Sequence, residues 1–450
     1  MHNNMDSKFR FLTPFRIAAT CACILLIVAC LTACATNKPN EINLMPAPDV
    51  YEKGVVDPFT DTHPIENIPY EGILYVTDRA PANADNHFYK NKRGNLLRLG
   101  AAKIKVGKEG ITWEEARRIS LLKNRTDKYP IKVTDVEEFG ILDRSYSVFT
   151  DPGLMETSPH RPAERFAQLV NEKLKRSQRK DVYIYVHGYK VVFENPILVA
   201  TELWHFLGYE GVFIAYAWPS TPKALAYASD LETAALSSHN LRIFLEYLAQ
   251  ETDVEQIHMI GYSAGTRLVI NALAQITLLH SDRDKASIQR TLRIGHVLLT
   301  ASDYDRQLFG VHLVDGLLKV PQTLTIYMSE SDKALGFSRW LFARERLGQM
   351  WKDRKLSDIV VEYLRKHQEL IFIDVTNAQS AAGGNGHAYF RKSPWVSSDV
   401  LMTLMHNLKP DERGLVQSAD IPVWTFPPDY IQQLRAALIE VSPEPTENLK

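Results

Sequence analysis

A five-residue turn between two regular elements restricts the fold of this chain more than any other feature. Residues 256–260, Gln-Ile-His-Met-Ile, read as a strand. Gly261-Tyr262-Ser263-Ala264-Gly265 follows, and 266–279 has the periodicity of a helix. A strand that turns into a helix over so few residues needs small neighbours on both sides of its central serine. The turn lifts the Ser263 hydroxyl above the end of a sheet, beside a helix N-terminus whose dipole favours developing negative charge. Given 22 glycines in 450 residues, chance supplies roughly 0.06 matches to such a Gly-x-Ser-x-Gly pattern.

The surrounding chain agrees with a sheet of this kind. After Pro159 a helical stretch at 163–176 is followed by apolar runs at 182–186, 212–217, 294–300, 323–328 and 369–375, separated by helical segments. The runs are short, rich in Val, Ile, Leu, Phe and Tyr, and mostly do not alternate, as expected of parallel strands covered on both faces. Alternating β and α segments predict a doubly wound α/β sheet. Upstream, residues 72–150 look β-rich, with strand-like runs at 73–77, 96–99, 103–106 and 145–149. A helix at 112–122 starts at Thr112, with Glu115 placed to close a capping box. An amphipathic helix is expected at 429–440, with a disordered Pro- and Glu-rich tail behind it.

A serine is a weak nucleophile until a base takes its proton and a third group orients that base. In this arrangement the order along the chain is Ser, then Asp or Glu, then His. The strand at 323–328 runs into Ser329-Glu330-Ser331-Asp332-Lys333, which makes Asp332 the first candidate acid. Asp303 and Asp305, after the preceding strand, are the alternative, and Glu330 comes third. Asp332 also suits the cap of a following helix. The last strand leads through a loop with Gly383, Gly384 and Gly386 to His387, the candidate base. The oxyanion that forms on acyl transfer needs backbone donors. The N–H of Ala264 is one candidate. The N–H of Tyr189, after the strand that ends in His187-Gly188, is the other, with His187 bracing the loop. Segments 221–238 and 309–318 are apolar enough to cap the site, and helices packed on the sheet explain the same pattern.

Composition excludes other chemistry. The formal charge of −1 gives no basic field for nucleic acid. No P-loop, dinucleotide-binding glycine pattern or His-Glu-x-x-His motif is present, so no cofactor or metal is implied. The four cysteines, Cys21, Cys23, Cys30 and Cys34, all precede residue 35. The body therefore has no disulfide, no thiolate metal site and no cysteine nucleophile. Lys8, Arg10 and Arg16 precede an apolar run over 17–31 that ends in Leu31-Thr32-Ala33-Cys34. This resembles a bacterial lipoprotein signal, which implies cleavage before Cys34 and lipid chains on it. Ala35, where Asp would resemble an inner-membrane retention signal, points to the outer membrane. After it no run of 18 apolar residues occurs, so the body is expected to be soluble. Residues 35–65, with five prolines, read as an extended tether, the other reading being an ordered arm.

Taken as an ordered set, the motifs resemble the DUF900 family of bacterial α/β-hydrolases over roughly residues 70–405. They are Leu74–Arg79, Val186-His-Gly-Tyr189, Ala217-Trp-Pro-Ser220, Tyr227–Ala234, Gly261–Gly265, Ala301-Ser-Asp-Tyr-Asp305, Ser331–Leu335, Ser338-Arg339, Ile373-Asp-Val375 and Gly386–Phe390. The resemblance implies an α/β-hydrolase fold with Ser263, Asp332 and His387 as its triad. Two positions depart from the family pattern: Lys190 stands where Asn is usual, and Tyr262 where His is common. The expected organisation is a signal peptide (1–33), a tether (34–65), an N-terminal β-rich extension (66–158), an α/β-hydrolase domain (159–405), and a C-terminal helix with a disordered tail (406–450). The expected function is a membrane-anchored serine hydrolase acting on a small-molecule or lipid carboxylic ester. A non-catalytic envelope lipoprotein, or an amidase or acyltransferase with the same triad, is the alternative.

Overall fold

Strands that are apolar on both faces must lie inside a sheet covered on both sides. The computed structural model describes residues 40–441 apart from 55, 60–63, 71, 83–87, 156–159, 223–226, 343, 352–355 and 420. The candidate lipidation site Cys34 and the expected tail after 441 lie outside the described residues.

The strands are β1 (Glu41–Asn43), β2 (Gly72–Pro81), β3 (Tyr89–Val106), β4 (Pro130–Ile141), β5 (Asp181–Val186), β6 (Val212–Tyr216), β7 (Gln256–Tyr262), β8 (Ile294–Thr300), β9 (Thr323–Met328), β10 (Leu370–Asp374), β11 (Val416–Gln417) and β12 (Trp424–Thr425). The helices are α1 (Trp113–Ser120), α2 (Arg161–Lys175), α3 (Glu194–Phe206), α4 (Tyr227–Glu251), α5 (Gly265–Leu279), α6 (Lys285–Leu292), α7 (Arg306–Val314), α8 (Lys333–Phe342), α9 (Asp358–Lys366), α10 (Tyr389–Lys392), α11 (Pro394–His406) and α12 (Tyr430–Val441).

Among the described residues the strands form one sheet in the order β1-β4-β3-β2-β6-β5-β7-β8-β9-β10-β12-β11. Every neighbouring pair from β2 to β12 is parallel. Antiparallel pairs close the two edges. The expected doubly wound α/β sheet is therefore present. From β5 the chain crosses through α3 to β6 on one side, then through α4 back past β5 to β7 on the other. Right-handed crossovers in opposite directions put α3 and α4 on opposite faces. They also open a crevice at the C-terminal ends of β5 and β7, where ligands bind in open α/β sheets. The helix expected at 112–122 forms as α1, and Thr112 Oγ1 accepts the Glu115 N–H at 3.2 Å.

The N-terminal region differs from expectation in four ways. The runs at 96–99 and 103–106 are one strand, β3, of 18 residues. It pairs with β4, a strand not foreseen. The run at 145–149 is not a strand. A 3-10 turn at Asp143–Ser145 ends there, and the Ser145 hydroxyl is taken by the Leu97 N–H at 3.0 Å and the Leu142 carbonyl at 2.7 Å. Val148 and Phe149 then stand 94% exposed, with no strand partner to bury them. The β-rich region is also part of the main sheet, since β2 lies parallel to β6.

Where described, from residue 40, the segment read as a tether is an ordered arm. β1 pairs with β4, and Ala47, Val50 and Tyr51 are fully buried. Full burial of a Val- or Leu-sized side chain contributes about 1.5–3 kcal/mol. The arm's polar groups are answered too: Tyr51 Oη donates to the Phe206 carbonyl (2.6 Å), the Val50 N–H to Ser398 Oγ (3.1 Å) and Trp395 Nε1 to Asp49 (3.0 Å). Arg435 of α12 donates to the Asp49 carbonyl, so the first and last described segments meet.

Behind β9 lies a buried ion pair. Arg413 Nε approaches Asp399 Oδ1 at 2.7 Å and Nη2 approaches Oδ2 at 3.3 Å, with both side chains at most 1% exposed. Tyr327 Oη donates to the same carboxylate at 2.8 Å.

Candidate active site

Ser263 sits where β7 stops and α5 begins, with φ at +52°. A non-glycine residue held in the left-handed region costs of order 1–3 kcal/mol and persists only where its surroundings enforce it. Here they do. The Ser263 N–H donates to the Thr300 carbonyl of β8 (3.0 Å), and its own carbonyl accepts from the Thr266 hydroxyl (2.6 Å). Gly265 is required by close approach, because a Cβ there would lie 2.3 Å from the carbonyl oxygens of both Val186 and His187. The elbow helix is thus pressed against the end of β5.

His387 reaches Ser263 from the loop after β10. Gly386 turns the chain with φ at +68°, and a Cβ on it would lie 2.3 Å from the Ser331 carbonyl oxygen. Asn385 ties this loop to the acid loop: its carbonyl accepts the Lys333 N–H (3.0 Å) and its side chain accepts the His387 N–H (3.2 Å). His387 Nδ1 lies 2.7 Å from Asp332 Oδ2, and His387 Nε2 lies 2.9 Å from Ser263 Oγ. The carboxylate can only accept, so the imidazole proton belongs at Nδ1 and the Nε2 lone pair faces the serine hydroxyl. Asp332 Oδ1 accepts the Leu335 N–H at 3.0 Å, so one carboxylate both caps α8 and orients the imidazole. The Asp332 side chain is fully enclosed, while that of His387 is 13% exposed. Tyr262 packs against His387, with ring centroids 5.2 Å apart.

The loop after β5 lies against the nucleophile. A Cβ on Gly188 would come 2.9 Å from Ser263 Cβ, so only glycine fits. His187 Nδ1 is 2.7 Å from the Gly188 carbonyl oxygen and Nε2 is 3.0 Å from that of Trp218. A neutral imidazole has one N–H and donates to one of these at a time. With the Gly188 carbonyl turned toward this ring, the Tyr189 N–H of the same planar trans peptide points away from it. Trp218 stacks on His187 at 5.3 Å and donates its Nε1–H to the His187 carbonyl at 2.7 Å. His187 therefore braces the loop. Ala264 stands at the N-cap of α5, one residue past Ser263.

A family model for "Alpha/beta hydrolase of unknown function (DUF900)" matches residues 163–405, more than half of the chain. The chain belongs to this family. No curated protein and no solved structure matched it.

In this DUF900 hydrolase the alternative acids lie elsewhere. Asp305 caps α7 through the Gln307 and Leu308 N–H groups. Asp303 is bound to Ser338 and faces Arg267 and Arg346. The Glu330 carboxylate is on the exposed side of the acid loop. Segment 221–238, where described, belongs mainly to α4, whose Thr233, Ala234, Ser237 and Ser238 are buried. Segment 309–318 includes the end of α7, which buries Phe309 and exposes Val311 and Val314. A cavity of about 610 Å³ borders Asp332, between the acid loop, Arg339 and Trp351. Among the described residues no group of three or more His, Cys, Asp or Glu side chains is arranged to hold a metal ion.

Sequence reasoning missed the role of Arg79. It is fully buried and donates to the carbonyls of Ala217 (3.3 Å) and Val191 (3.1 Å), joining β2 to the loops after β5 and β6. Burial lowers its guanidinium to about 10, which leaves it charged at neutral pH. Its place in the Leu74–Arg79 motif was the available signal.

Two other histidines make stability depend on pH. Burial first, then the charge of Arg79, lowers His187 from 6.5 to about 3. Burial, then neighbouring His258, lowers His296 from 6.5 to about 3. The unfolded chain takes up these protons below about pH 6.5 while the folded chain does not. Their contribution is full above pH 6.5 and is lost as the pH falls toward 3. The melting temperature should decline steadily from pH 6.5 to pH 4, and less steeply in His296→Phe. A scan that is flat over this range, or identical in the variant, contradicts this account.

Proposed function

We propose that this protein is a serine hydrolase acting on a carboxylic ester through an acyl-enzyme intermediate. The observation that carries this reading is the continuous Asp332–His387–Ser263 chain, with contacts of 2.7 and 2.9 Å. Ser263 Oγ attacks the ester carbonyl as His387 Nε2 takes its proton. Asp332 steadies the resulting imidazolium, and the N–H groups of Ala264 and Tyr189 receive the oxyanion. Collapse expels the alcohol, protonated by His387. Water, activated by the same histidine, then attacks the acyl-enzyme, releasing the acid and restoring Ser263. A fluorophosphonate probe should label the wild type and leave Ser263→Ala unlabelled. Equal labelling of the two would remove the assignment.

The protein is further proposed to be a lipoprotein of the bacterial cell envelope, attached through Cys34 and sorted to the outer membrane. The support is the Leu31-Thr-Ala-Cys34 sequence after an apolar run, with Ala35 behind it. Two or three acyl chains anchor far more firmly than one. Cells fed a radiolabelled fatty acid should yield labelled wild-type protein and unlabelled Cys34→Ser. Label retained in the variant would rule out this attachment.

A further inference from the structure

Asp303, passed over as the acid, touches both halves of the triad framework. Its N–H donates to the Ser263 carbonyl at 3.4 Å, and its side chain is 4% exposed. Oδ2 lies 3.3 Å from Arg267 Nε, and Arg267 is one turn along α5 from the nucleophile. Oδ1 accepts the Ser338 hydroxyl at 2.5 Å, and Ser338 lies on α8, the helix capped by Asp332. Arg346 Nε is 3.5 Å from the same oxygen, and Arg346 Nη2 lies 3.5 Å from the Ser338 carbonyl.

Backbone bonds run in parallel with this cluster. Leu347 N–H donates to the Tyr304 carbonyl (2.9 Å), Gly348 N–H to that of Ser302 (2.9 Å), and Ser329 N–H to that of Gly348 (3.1 Å). The acid loop thus hangs from the 346–348 segment, which hangs from the residues on either side of Asp303. Gly348 has to be glycine for this, since a Cβ there would lie 2.4 Å from the Ser302 nitrogen.

The geometry points to Asp303 as a positioning residue for the triad. Its carboxylate holds the helix behind Ser263 and the helix behind Asp332 at a fixed separation, which the His387 ring then spans. The imidazole has a fixed width, so any widening of that gap lengthens one of its two hydrogen bonds. A misplacement of 1 Å can reduce rate by about 10²-fold. Charge balance favours the same role. Without the carboxylate, the guanidiniums of Arg267 and Arg346 would both face the vacated space with their shared counter-charge gone.

This inference rests on the serine hydrolase reading. The test compares wild type, Asp303→Asn and Ser338→Ala well below their melting temperatures. It measures the rate of fluorophosphonate labelling, and kcat and KM for p-nitrophenyl acetate. Asparagine keeps the volume and a carbonyl acceptor while removing the charge. Asp303→Asn should label and turn over about 10–100-fold more slowly with KM within twofold, and Ser338→Ala should show a smaller loss of the same form. A lower melting temperature with wild-type labelling and kcat would make Asp303 purely structural and overturn the proposal. If Asp303→Asn does not fold, Ser338→Ala decides: wild-type kcat in it also overturns the proposal. A wild type that does not label overturns the hydrolase reading and this inference with it, whereas a wild type that labels isolates the failure to Asp303.

Discussion

His387→Gln should lower turnover of an activated ester by about 10⁴-fold or more, a scale typical of triad deletions. The glutamine amide can still donate to Asp332, so the enclosed carboxylate keeps a partner and the fold should survive. What disappears is the lone pair 2.9 Å from the Ser263 hydroxyl. The buried histidine nearby, His187, faces carbonyl oxygens with both nitrogens and cannot take over as base. The double variant Ser263→Ala/His387→Gln should lose little beyond either single change, because the groups act as a unit. Steady-state kcat/KM for the three variants measures this. A loss under tenfold in His387→Gln would mean the serine is not activated by this histidine.

The largest stability effect is expected at Asp399. Removing it should cost about 3–5 kcal/mol, because Arg413 would be left buried and charged without its partner. Both side chains are at most 1% exposed, so water cannot take the place of the carboxylate. Tyr327 Oη would lose its acceptor as well. Urea unfolding of Asp399→Ala against wild type reads the difference. Replacing both partners with apolar residues of similar volume should recover most of the loss. A single variant within 1 kcal/mol of wild type would show that the pair is not a determinant of stability.

The centre of the sheet was legible because β5, β6, β8 and β10 are buried along their whole length, so their sequences are mostly apolar, with Asp181, His296, Thr300 and Asp374 the polar exceptions. The elbow and the residues of the candidate triad were legible because chain order and sharp glycine-flanked turns are local properties. β4 was not, because it lies toward an edge of the sheet, buries only Ile131, Val133 and Ile141, and carries Lys132, Asp135, Glu137 and Glu138 between them. β3 was split in two at Gly100, which is small because a Cβ there would meet the Tyr75 hydroxyl at 2.3 Å. The burial of charges such as Arg79, Asp303 and Arg346 was not legible, since nothing local reveals that distant segments will close over them. The arm is the extreme case. Its prolines suggest an extended chain, and the groups that order it, from β4 to α11 and α12, are all distant in sequence.

That distance bears on the order in which the molecule can be made. Val50 bonds to Ser398, 348 residues later, and Asp49 meets Arg435 after 386. Part of what holds the arm is thus made only near the end of the described chain, while its partners in β4 and at Phe206 come much earlier. Closing contacts of such sequence separation is slow, because the entropy of the intervening loop is lost before the contact forms. The bonds of Asp49 and Val50 to the last two helices are therefore expected to close late, after β1 has paired with β4.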